Sequence, residues 1–175
     1  PWQGADNIKL VYHLIRRGDE IPPGVDTSMV IFVPVKKIIC MSTTHIAMIT
    51  ALGEENSISG VSGAGFVFSE SLIKNIDKGL VEDVGYDANM NKELLLKISP
   101  DLVMMSGIGS ASAGYVGTIH ELGVKVVFHA DYLATAPLSR AAWINLFVAL
   151  YCTDELADII YRSEIAASAA PTSFT

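Results

Sequence analysis

The chain has 175 residues and a mass of 18.8 kDa, which suits one domain with a real core that needs no disulfides or metals. Twelve Lys and Arg against 19 Asp and Glu leave a net charge of −7, which argues against a nucleic-acid partner or an anionic membrane surface. Half of the residues are hydrophobic and only 18% are charged, against about 25% in an ordinary soluble domain. Such a chain either covers both faces of a sheet with helices or keeps apolar surface for a partner. No apolar stretch reaches the roughly 18 to 20 residues of a transmembrane helix. The longest, Ala141 to Cys152, is short and carries Asn145. Residues Pro1 to Ile8 lack the basic and apolar regions of a signal peptide, so any leader lies upstream of this chain. Cys40 and Cys152 form no CxxC motif and no disulfide framework, and read as buried free thiols.

The first third begins extended. Ile8 to Ile15 and Met29 to Val33 are rich in β-branched residues, and the Pro-, Gly- and Asp-containing segment between them is a turn, which gives a strand pair or edge extension over residues 1–35. Lys37 to Met41 is a short continuous apolar run, as expected for a strand buried on both faces of a parallel sheet. Ser42-Thr43-Thr44 supplies a helix cap, Ile46, Ile49 and Leu52 keep a helical period, and Gly53 is a stop. Ser57 to Val61 then reads as a strand, SGAGF as a glycine-rich loop, Ser69 to Lys78 and Asn91 to Ile98 as helices, and Leu102 to Met105 as a strand.

The clearest βαβ pattern follows: a strand, SGIGSASAG, a helix from about Ala111 to Leu122, Gly123, and the strand Val124 to His129. Alternation of this length predicts an α/β fold with a doubly wound parallel sheet over residues 36–137. The helical segment 138–167 comes next, and a small polar tail at 168–175 frays. In such a sheet the loops at the strand carboxyl ends carry function: Ser42 to His45, Ser62 to Phe66, Ser106 to Ser110, and Ala130 to Leu133.

Gly107-Ile108-Gly109 between a strand and a helix, with Asp131 ending the next strand, invites a nucleotide-binding α/β enzyme. However, Ser112 replaces the third glycine of GxGxxG, and Tyr115 and Val116 stand where a P-loop needs Lys and Ser/Thr. Tight-turn glycines explain the stretch more simply. His13, His45, His120 and His129 show no metal-binding spacing. His45 and His129 lie near strand carboxyl ends and could converge, but capped or surface histidines are the plainer reading. GxSxG is absent. Glu54-Glu55, Glu82-Asp83 and Glu93 read as solvated acids, Glu93 with a favourable place at a helix start.

Three blocks carry a family resemblance. They are VPVKKIICMSTTHIAMITALGEENSISGVSG from Val33, VEDVGYDANMNKELLLKISPDLVM from Val81, and ELGVKVVFHADYLATAPLSRAAWINLFVALY from Glu121. Their order, and ISPDLV followed by LGVKVVF above all, resembles the N-terminal lobe of periplasmic substrate-binding proteins of ABC importers, in the class for ferric siderophores, haem and cobalamin.

The resemblance implies a Rossmann-like lobe, one of two joined by a long helix, with ligand held between them and no catalytic step. It implies Thr43, Thr44, His45, Ser62, Phe66, Tyr86, Gly109 and Tyr132 as ligand contacts and Glu93 as the acid that docks on the permease. The implied partners are an ABC importer permease and a small metal-chelate ligand. No further cofactor is implied, and the place is periplasmic or cell-surface, anchored as a lipoprotein. The chain departs from the family near Tyr161, where a second lobe is expected to follow, and a homodimer through the uncovered face is expected on physical grounds.

Overall fold

A computed structural model describes residues 11–86, 89–106, 113–130 and 142–152. Seven strands and five helices occur among them. In chain order they are β1 (His13–Arg16), β2 (Val30–Val33), β3 (Ile38–Cys40), α1 (Thr43–Ala51), β4 (Ile58–Val61), α2 (Glu70–Asp77), β5 (Glu82–Asp83), α3 (Lys92–Ile98), β6 (Leu102–Ser106), α4 (Ala113–Glu121), β7 (Lys125–His129) and α5 (Ile144–Tyr151). Five strands form one parallel sheet in the order β5-β4-β3-β6-β7. The chain winds outward from β3 in one direction, then crosses back through α3 to β6. This is the doubly wound α/β sheet expected from the alternating pattern.

The side-chain period of two divides each central strand between two cores. Ile38 and Cys40 of β3, Leu102 and Met104 of β6, and Val127 of β7 point to one face, where α1, α2 and α5 cover them. Ile39, Val103, Met105, Val126 and Phe128 point to the other, where Leu95 and Ile98 of α3 and Ile119 of α4 pack. Gly60 in β4 has a packing reason. A Cβ there would lie 3.0 Å from Ile39 and 3.1 Å from Val84.

Three helices begin on side-chain caps. Ser42 accepts from the Thr44 amide, Ser69 from that of Leu72, and Asn91 from those of Glu93 and Leu94. Among the described residues no helix is long and apolar enough to cross a membrane.

Cys40 is buried as expected, but Cys152, which follows the last turn of α5, is exposed, and two elements also differ from the sequence expectation. The first strand starts at His13 rather than Ile8, whose own position lies outside the described residues, and it pairs with β2 in parallel. Parallel pairing needs a connection of about a dozen residues, so the segment between the strands is a crossover rather than a tight hairpin. β5 went unread because it is two acidic residues long. Its place is fixed by pairing with Gly60 and Val61, not by apolar content.

Asp101 fastens the N-terminal extension to the sheet. Its Oδ2 accepts from the backbone amides of Lys36 and Lys37 at 2.7 and 3.0 Å and from the Arg17 guanidinium at 2.6 Å. Partial burial alone would raise its pKa, but these donors hold the carboxyl below its ordinary value. The Tyr12 hydroxyl donates to the Val126 carbonyl and adds a second tie.

The α5 helix is tied at both ends. Tyr151 and Ser57 share a buried hydrogen bond of 2.7 Å, and Phe147 near the middle is wholly buried. Near the start of α5, two histidines form part of the core. His45 and His129 have no exposed surface, with ring centroids 5.2 Å apart and the planes nearly perpendicular. Trp143 and Phe147 pack their edges against His129 at 4.9 and 5.3 Å. The two histidines do converge, but as core residues and not as capped or surface ones. Desolvation, then the neighbouring His129, push the His45 pKa down to about 3, so the ring is neutral in the folded chain.

Two outcomes follow for stability. Replacing Asp101 by Ala leaves three donors without their acceptor and is expected to cost about 2 kcal/mol in urea unfolding, with Asp101→Asn recovering part of it. For His45 the folded pKa lies below the ordinary 6.5. The unfolded chain therefore takes up a proton that the folded chain refuses. Stability present above pH 6.5 is lost as pH falls, by about 1.4 kcal/mol per pH unit for one such group. This loss starts well above the range in which Asp101 is protonated, so the two separate. In urea melts between pH 4.5 and 7.5, His45→Gln is expected to flatten the pH dependence by one proton, and an unchanged slope contradicts the account.

Candidate functional site

In a doubly wound sheet, the loops beyond the strand carboxyl ends face a common edge. Beyond β3 lies the first turn of α1. Ser42 caps it, so the next two hydroxyls are held at the helix start: Thr43 is exposed and Thr44 half-buried. Beyond β4, Ser62 continues the ladder by donating its amide to the Cys40 carbonyl. Gly63 then turns the chain in the left-handed region at φ 75°, and a single 3-10 turn, Ala64–Phe66, leaves Phe66 57% exposed. Beyond β5, Gly85 at φ 80° leads to Tyr86, which is 53% exposed.

These side chains are brought together at Gly63. A Cβ placed there would lie 2.8 Å from Cζ of Tyr86 and 3.0 Å from Cδ2 of Phe66, and it would also strike the Tyr86 hydroxyl. Both rings therefore rest against the bare α-carbon of Gly63. They form an aromatic ledge over the β4 and β5 ends, which any larger residue at position 63 would displace.

Along the flank of α1, an open apolar groove of about 460 Å³ runs between Thr43, Ala47 and Thr50 on one side and Phe66 to Ser69 on the other. Phe68, 88% exposed, stands at its lip. Phe66 belongs to both the groove and the ledge.

His45 stands differently from the other sequence-derived contacts. It is wholly buried and backs the edge from below, with Nε2 3.4 Å from the Ser106 hydroxyl at the carboxyl end of β6. This is where the sheet changes winding direction, between β3 and β6. Among the described residues no group of three or more His, Cys, Asp and Glu could hold a metal ion. Glu93 is exposed on the first turn of α3, at the same end of the sheet as the ledge. Gly109 and Tyr132, with Gly107 and Asp131 of the nucleotide reading, lie outside the described residues.

Three acids read as solvated surface have specific partners, the first of them Glu82, which pairs with Lys97 at 2.7 Å. Glu55 accepts hydrogen bonds from the Ser69 and Ser71 hydroxyls, which joins the turn before β4 to the start of α2. Asp83 accepts from three backbone amides: Gly63 at 3.1 Å, Ala64 at 2.8 Å and Gly85 at 3.0 Å. Partial burial would raise its pKa, yet the three donors hold it below the ordinary carboxylate value. A signal for Asp83 was present in the sequence. Aspartate followed two residues later by glycine is a common turn in which the side chain binds the next-but-one amide.

No protein-family model matches the chain. An uncharacterized lipoprotein of Methanocaldococcus jannaschii is 33% identical over 133 residues, covering 72% of this chain and 32% of that protein. Among solved structures, the periplasmic vitamin B12 binding protein BtuF of Vibrio cholerae superposes with a TM-score of 0.53 at 16% identity, over 76% of this chain and 48% of that one. The periplasmic heme binding protein HutB of Vibrio cholerae gives 0.58 at 17% identity, over 78% and 51%. The petrobactin-binding protein YclQ of Bacillus subtilis gives 0.58 at 15% identity, over 77% and 45%. The chain thus spans about a third of its curated relative and about half of these solved chains, and it has the fold of one Rossmann-like lobe of the periplasmic binding proteins.

Proposed function

We propose that the chain is a ligand-binding lobe of an ABC importer's substrate-binding protein, and that its cargo is an iron chelate, haem or a corrinoid. The observation that carries this is the ledge. Two aromatic rings, more than half exposed, converge on one glycine at the carboxyl edge of a doubly wound sheet, with the Thr43 and Thr44 hydroxyls and Ser62 on the neighbouring loops.

Apolar rings left in water at a loop edge are best explained by a ligand that covers them. A flat or broad-rimmed molecule gains about 0.5–1.5 kcal/mol from each ring contact beyond the area it buries. The hydroxyls can accept or donate at its polar rim. The likeness of the fold to cobalamin, heme and petrobactin binders supports the same cargo class.

A binding lobe performs no bond-breaking step, so its work is capture and presentation. Glu93, exposed at the same end of the sheet, is proposed as the acid that meets arginines of the permease. The lipoprotein name of the curated relative supports a place at the outer side of the cytoplasmic membrane.

Two measurements test the reading on the full-length protein. Titration with haemin, a ferric hydroxamate and cobalamin, followed by fluorescence quenching, is expected to give saturable binding to at least one. Phe66→Ala and Tyr86→Ala should each weaken that binding about tenfold, equivalent to about 1.4 kcal/mol. A full-length protein that binds none of the three, or a thermal shift with NAD or ATP instead, overturns it. Glu93→Lys should leave ligand affinity unchanged but abolish stimulation of the permease ATPase in reconstituted membranes. Full stimulation by that variant removes Glu93 from the docking role.

A further inference from the structure

We infer that Asp83 is the positioning residue of the aromatic ledge: its carboxylate locks the loop after β4 to the turn after β5, so that Phe66 and Tyr86 are held as one preformed face. The inference rests on the reading of this edge as the ligand-facing wall.

The geometry is direct. The amide of Gly63 donates to Oδ1 and that of Ala64 to Oδ2, both from the loop that carries Phe66. The Gly85 amide donates to Oδ1 from the turn that carries Tyr86. One side chain on a two-residue edge strand thus holds both loops through three charge-assisted bonds, the stronger kind of hydrogen bond.

Backbone bonds shape each turn, from Phe66 to Gly63, Val67 to Ala64 and Asn89 to Tyr86, while Asp83 is the side chain that bonds across from one loop to the other. Ala64 is only half-buried, while Gly65 and Phe66 are exposed. β5 pairs with Gly60 and Val61 of β4 and is an edge strand two residues long. Gly63 and Gly85 both adopt left-handed backbone, a conformation open to alternatives once the bonds that select it are lost. The Tyr86 ring then closes back over Gly63 and joins the two loops a second time. An aromatic wall held in place before the ligand arrives avoids the cost of ordering its side chains on binding.

The test separates positioning from general stability. In ¹⁵N-labelled protein without ligand, Asp83→Ala is expected to speed amide exchange at Gly63, Ala64 and Gly85 at least tenfold, while amides of β3 and β6 keep their protection. Asp83→Asn, which retains one carbonyl oxygen, should fall between. Unchanged exchange at Gly63 and Ala64, or a uniform rise across the sheet, overturns the proposal.

The second arm uses haemin, or whichever of the three probes binds the full-length protein, in a double-mutant cycle. Asp83→Ala should weaken binding at least as much as Tyr86→Ala, and the double variant should lose clearly less than the sum of the two single losses. Independent, additive losses contradict it. Should Asp83→Ala fail to fold, Gly63→Ala displaces the Tyr86 ring while leaving the carboxylate intact. It should reproduce the affinity loss with protection at Gly85 retained, and unaltered affinity counts against the ledge. If no probe binds, the proposed function fails, while the exchange measurement still decides the role of Asp83.

Discussion

The constraint on which the rest depends is that a parallel sheet must be covered on both faces. Ile38, Ile39 and Cys40 of β3 are all buried, and so are Leu102 to Met105 of β6 beside it. A strand in that position has no solvated side on which to place polar residues. Helices must therefore lie above and below, and each connection must cross from the carboxyl end of one strand to the amino end of the next. The loops at the carboxyl edge are the freest part of this plan, because they can vary without disturbing either core. In this chain they carry Thr43, Ser62, Phe66 and Tyr86.

The same constraint explains which features could be read from sequence. The continuous apolar runs of β3 and β6, the serine and asparagine caps of α1, α2 and α3, and the glycine after α4 all report local needs that a single segment must satisfy alone. They match the structure to within a residue or two. β5 is held by its neighbour and has no pattern of its own, so Glu82 and Asp83 look like loop. The parallel pairing of β1 with β2 depends on contacts far along the chain, including β2 against α5.

The candidate site divides in the same way. Phe66 and Tyr86 were reachable through the loops that carry them, but their meeting at Gly63 is a tertiary fact. His45 and His129 were recognised as able to converge, yet no sequence pattern distinguishes a histidine beneath the edge from one that lines it. Acids are harder still. Asp83 and Gly85 spell a local turn, but the amides of Gly63 and Ala64, which bind the same carboxylate, lie some twenty residues away and leave no mark beside it.

The two halves of the edge are held by opposite kinds of chemistry. Under β6 and β7 the support is apolar and uncharged: a buried His45 beside His129, framed by Trp143 and Phe147. Charge on His45 is disfavoured there by its burial first and by the neighbouring His129 second. Under β4 and β5 the support is a charge, the Asp83 carboxylate, stabilised by backbone dipoles and open in part to solvent. Apolar packing of the first kind is dense and resists rearrangement. Hydrogen bonds of the second kind can hold short, exposed, glycine-containing loops that offer too little surface for packing to hold them. A chain with half its residues hydrophobic and few charges therefore spends a carboxylate where burial cannot reach. That is why the ledge, whose two rings are more than half exposed, depends on a carboxylate.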